Sequence, residues 1–94
     1  PDDYADCITS FDALEHLLPE DVPRVFDEIA RIARPGARFC FSISPVASKV
    51  KVAGEGLHPT VRPHPWWSKQ IARVAQVVRR RRKYFVGRFP GGAP

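Results

Sequence analysis

Apolar and polar positions alternate along the chain in two distinct rhythms. The run Cys7-Ile8-Thr9 is short and apolar, which predicts a strand over Asp6–Ser10 buried on both faces. The pattern breaks at Ser10-Phe11-Asp12, where a chain leaving a sheet would turn. Leu14-Glu15-His16-Leu17 follows, and Pro19-Glu20-Asp21 is a helix-opening signal. From Glu20 to Ala33 the rhythm is helical. Val22, Val25, Phe26, Ile29, Ile32 and Ala33 fall on one stripe, with Pro23 in the first turn, where its missing N–H is tolerated. Acids open this helix and Arg31 and Arg34 close it, as the helix dipole favours.

Pro35-Gly36 is expected to stop the helix, and Arg38–Ser44 then alternates with a period of two. Phe39, Phe41 and Ile43 point to one face and Cys40, Ser42 and Ser44 to the other. Strand, helix and strand with short connections predict a parallel pair. The stretch 46–64 has no clear period, and connections of that length tend to be functional or disordered. A second helix is expected from Pro65, its stripe running through Trp67, Ile71, Val74, Ala75 and Val78. Tyr84-Phe85-Val86 reads as a short final strand, and Pro90–Pro94 as a frayed tail. There is no internal repeat. The fold class is α/β.

The 94 residues allow one domain, and a chain of this size buries only a modest core. With no Met in the sequence, the chain is expected to begin inside a longer protein. No apolar run approaches the roughly 20 residues of a membrane span, so no membrane association is expected. Cys7 and Cys40 both fall in predicted strands and read as two buried thiols of a cytoplasmic protein rather than a disulfide. Neither has a partner at zinc spacing, so no metal site is expected. The formal net charge is +5, and Arg79–Lys83 is an unbroken run of five cations. Such a run can meet nucleic acid. The plainer reading is a solvated helix end.

Taken together, DCITSFDALEHL and VFDEIARIARPGARFCFSIS resemble the C-terminal half of a class I S-adenosylmethionine-dependent methyltransferase domain. The carrying features are the Ser-Phe strand end, the Leu-Glu-His segment, and Arg31-Ile32-Ala33-Arg34-Pro35-Gly36-Ala37, where Ala37 stands in place of the family's second glycine. Leu57–Trp67 is similar to a segment found in some of these enzymes. The resemblance is firm over Asp2–Ser44 and weaker through Trp67. It implies a partial doubly wound, Rossmann-like fold: a parallel βαβ unit, a long loop, a helix and a short strand. Residues 1–94 would then be the later portion of the domain. The glycine-rich loop and the acidic residue that grip the cofactor would lie upstream.

By this resemblance Ser10 and Phe11 touch the methionine part of S-adenosylmethionine; otherwise they are a turn serine and a core phenylalanine. His16 is the candidate for acid–base or positioning chemistry, because imidazole titrates near neutrality; otherwise it hydrogen-bonds the turn. Glu15 reads as a partner of backbone or an arginine. His58, Arg62 and His64 form a candidate substrate-side loop, or else an ordinary surface loop. Trp66 and Trp67 read as packing anchors. The implied activity is methyl transfer to a small-molecule acceptor. The alternatives are a nucleic-acid-binding module using Arg79–Lys83, and a non-catalytic fragment that oligomerises through an exposed sheet edge.

Overall fold

The computed structural model describes residues 1–45, 51–52, 55–56 and 60–92. Strand β1 (Ala5–Phe11) leads through two single-turn 3-10 segments, Leu14–His16 and Pro19–Asp21, into helix α1 (Val22–Ile32). Strand β2 (Ala33–Ser42) follows, then a two-residue pair, β3 (Lys51–Val52) with β4 (Glu55–Gly56). Helix α2 (His64–Ala72) precedes a hairpin of β5 (Gln76–Arg81) and β6 (Tyr84–Arg88). The main sheet runs β1-β2-β6-β5. The β1–β2 pair is parallel, as the strand–helix–strand pattern predicts; β6 runs antiparallel to both its neighbours.

Residues paired across strands share a face, so the register sorts the sheet into two surfaces. One carries the rows Ile8–Phe39–Gly87–Val77 and Ser10–Phe41–Phe85–Arg80. Both helices pack there. Phe26 of α1 meets Phe41 edge-on at 6.1 Å, Phe39 stacks on Phe41 at 4.7 Å, and Trp67 and Ile71 of α2 are fully buried in the same cluster. Each fully buried phenylalanine contributes about 1.5–3 kcal/mol over leaving it in water. The other surface carries the rows Cys7–Arg38–Arg88–Gln76, Thr9–Cys40–Val86–Arg79 and Phe11–Ser42–Tyr84–Arg81. No described helix covers it.

That one-sided arrangement corrects the reading of β1 as buried on both faces. β1 is an edge strand, with Cys7, Thr9 and Phe11 exposed on the open face. The thiols are free, but Cys7 is exposed and Cys40 half-buried, not buried as expected. Phe11 is not a core residue either, being 58% exposed.

α1 ends three residues before Pro35-Gly36. Its last carbonyls are met from outside, Asp3 N–H donating to Arg31 O at 3.0 Å and Tyr4 N–H to Ile32 O at 2.8 Å. Ala33 already pairs with Ala5, and the next pair is Cys7 with Arg38, so two steps along β1 correspond to five along β2. Gly36 absorbs the excess at φ +79°, in the left-handed region that favours glycine. The expected frayed tail closes over this bulge. Gly36 N–H donates to Pro90 O at 3.0 Å, and a Cβ on Gly36 would stand 3.1 Å from Gly91 O.

α2 begins where Pro65 predicts but stops at Ala72, so the apolar stripe beyond it belongs to another element. Val78 lies in β5, 65% exposed. Arg79–Lys83 is therefore a strand and a hairpin turn rather than a helix end. No helix among the described residues is long and apolar enough to cross a membrane.

Candidate functional site

The carboxyl ends of the parallel strands β1 and β2 meet the β5–β6 turn at one edge of the sheet. Asp12 follows β1 with φ 50°, a conformation that Asp tolerates better than most side chains. Its backbone N–H lies 3.0 Å from both the carbonyl and the hydroxyl oxygen of Ser42. The Ser42 hydroxyl donates back to Asp12 Oδ1 at 3.3 Å. Lys83, in the hairpin turn, donates to both Asp12 oxygens at 2.9 and 3.0 Å. The hydrogen bond it donates to Asp12 holds the Lys83 pKa above its ordinary value. Carboxylate, hydroxyl and ammonium here form a clasp that ties the first strand to the last hairpin. Sequence reasoning placed Asp12 in a turn and Lys83 in a charge run; residues 71 positions apart gave no local signal of meeting.

Ser10 and Phe11 stand at this edge as expected, but alternation divides them. Ser10 faces the helices in the row with Phe41, while Phe11 faces the open side in the row with Ser42. His16 is exposed at the end of the first 3-10 turn, and its backbone N–H donates to Ala13 O at 3.0 Å. Beside it, Glu15 is fully buried, and neither carboxylate oxygen has a hydrogen-bond partner among the described residues. The expected arginine or backbone partner is absent there.

The chain entering α2 crosses this turn. Thr60, fully buried, donates its N–H to Glu15 O at 3.3 Å and its hydroxyl to Leu17 O. This brings the start of the candidate substrate-side segment against the backbone on either side of His16. Arg62 lies 5.6 Å over the Trp66 ring and donates to Val61 O. His64 heads α2. Its Nδ1 is 3.0 Å from an Arg80 guanidinium nitrogen, and its ring meets Phe85 edge-on at 5.5 Å. Arginine only donates, so Nδ1 accepts and Nε2 carries the hydrogen. That Nε2 is buried without a partner among the described residues. His64 thus presents Nε2 inward. His58 lies outside the described residues. Trp67 is the buried anchor expected of the pair, and Trp66 packs edge-on against it at 4.9 Å. Among the described residues no group of three His, Cys, Asp or Glu could hold a metal.

Comparison with known proteins bears on the first half of the chain. A family model described as a methyltransferase domain matches residues 1–41. The match stops at Phe41, so the weaker likeness through Trp67 is outside it. No curated protein and no solved structure matches the chain. The matched residues are those that build β1, the turn carrying Glu15 and His16, α1 and nearly all of β2. Over this strand–helix–strand unit the chain is similar to a methyltransferase domain.

Proposed function

We propose that the chain is the later portion of a methyltransferase domain that moves a methyl group from S-adenosylmethionine to a small-molecule acceptor. The supporting observation is the methyltransferase match over residues 1–41, coinciding with a parallel strand pair whose carboxyl edge presents Ser10 and Phe11. Ligands in open α/β sheets bind at that edge. The residues present fit one side of the cofactor. Phe11 offers an exposed apolar ring, and the outer edge of β1 is open for a further strand. The Asp12 carboxylate is committed to Lys83 and Ser42, so the acid for the ribose hydroxyls would come from an upstream, glycine-rich portion.

The bound cofactor supplies an electrophilic methyl group, and holding donor and acceptor in line then accounts for much of the rate. His16, exposed beside the Thr60 crossing, positions the acceptor or takes its proton. Arg62 and His64 belong to the segment entering α2 that we assign to the acceptor side, while His58 lies outside the described residues. The test is calorimetric titration of S-adenosylmethionine into the chain extended by its upstream sequence. Binding is expected, weakened about tenfold by Phe11→Ala with unchanged melting temperature, while His16→Ala lowers kcat by about a hundredfold. A folded extended protein that binds no S-adenosylmethionine overturns the proposal.

A further inference from the structure

We propose that the face of the sheet that no described helix covers binds single-stranded nucleic acid. This rests on the sheet register and does not depend on the methyltransferase reading. Three rows cross the four strands on this face: Cys7–Arg38–Arg88–Gln76, Thr9–Cys40–Val86–Arg79 and Phe11–Ser42–Tyr84–Arg81. None of these positions is acidic. Arg38, Arg79, Arg81 and Arg88 all belong to them, and Arg82 adjoins them in the hairpin turn. Among the described residues no ion pair engages any of these five guanidinium groups. By contrast Arg31, Arg34 and Arg73, outside these rows, are each paired with a carboxylate, and so is Lys83 in the hairpin turn. Arg24, Arg62, Lys69 and Arg80 also lack an ion pair among the described residues, but five of the unneutralised cations are gathered at this one surface.

The same face carries aromatic side chains. Phe11 is 58% exposed and Tyr84 42%. They share a row two strands apart, which places them about 10 Å from each other. Arg79, Arg81, Arg82, Tyr84 and Val86 line an open hollow of about 540 Å³. Arginines that track a phosphate backbone, alternating with rings on which bases stack, are the elements of sequence-tolerant single-strand binding. A duplex fits less well, since its bases are already stacked and cannot use the rings.

The test is fluorescence anisotropy of the full chain with labelled single-stranded dT and U oligonucleotides of 20 nucleotides, from 50 to 200 mM salt. Four or five phosphate contacts give a roughly fifty- to hundredfold weakening across that range. Arg79→Glu with Arg81→Glu is expected to lower affinity at least tenfold. Tyr84→Ala should lower it about five- to a hundredfold, with Tyr84→Phe retaining it, because the ring face does the stacking. Arg24→Glu with Lys69→Glu, on the helices, should leave binding unchanged. Absence of binding, equal weakening by the helix and sheet pairs, or binding to phosphatidylserine vesicles but not to oligonucleotides would each overturn the proposal. Circular dichroism of each variant separates lost binding from lost folding, and the salt dependence of the unaltered chain needs no variant at all.

Discussion

Glu15 shows how far a side chain's neighbourhood can depart from what its type suggests. Its carboxylate is fully buried, its backbone carbonyl accepts from Thr60, and its two oxygens lack partners among the described residues. A buried carboxylate in that condition has given up hydration without compensation. Leucine has a similar shape and removes the penalty. Glu15→Leu is therefore expected to stabilise the fold by about 1–3 kcal/mol, read as a higher denaturant midpoint. A lower midpoint would mean that the carboxylate is engaged. At this scale the sequence carried only part of the picture. Ser10 and Phe11 were legible as a strand end because a polar break follows an apolar run. Burial of Glu15 was not, because it depends on Thr60 arriving from 45 positions away.

Gly87 controls how closely two strands and a ring can pack. Any Cβ there would lie 1.9 Å from Gln76 O and 2.7 Å from the Phe39 ring. The backbone oxygen cannot move without opening the β5–β6 ladder. Gly87→Ala should cost about 3 kcal/mol or more, at the upper end of overpacking penalties, seen as a fall in melting temperature. Gly36→Ala is milder in contact but strained by its positive φ. Elements with a single rhythm are legible in the sequence: α1 from its stripe, and the later part of β2 from the alternation of Phe39 and Phe41, although the strand opens at Ala33 rather than Arg38 and closes before Ile43. α2 and β5 were not separated, because Val74, Ala75 and Val78 continue the helical spacing with no Gly or Pro between. Pairing with β6 overrode that spacing and drew Gln76–Arg81 into the sheet. The adjacent β-branched residues Val77 and Val78 were the available hint. The open sheet face was also illegible, since alternation in β1 alone does not reveal that no helix will cover one side.

Across the whole molecule, two exposed ion pairs make stability depend on pH at opposite ends. The bond to Asp12 raises the Lys83 ammonium, so its contribution is complete below the ordinary lysine pKa and fades as pH climbs through the raised value. The hydrogen bond from Arg31 lowers the Glu28 carboxyl, so its contribution is complete above the ordinary glutamate pKa and fades as pH falls through the lowered value. Melting temperature should thus form a plateau bounded on both sides. Lys83→Met should flatten the alkaline shoulder; thermal melts from pH 3 to 11 would show it. Both effects are small, because solvent screens exposed pairs.

The sheet order has a consequence for how the chain acquires its shape during synthesis. β5 joins the sheet only through β6, which is made after it. While residues 84–88 remain inside the ribosome, β2 lacks its second neighbour and β5 has nothing to pair with. The Lys83 link to Asp12 cannot be set either. The nascent chain can form the parallel unit and α1, but the other half of the sheet is added only after β6 has emerged. Until then the aromatic row around Phe41 lacks Phe85. The interval before that docking is when the chain exposes most apolar surface and is most open to association with other chains.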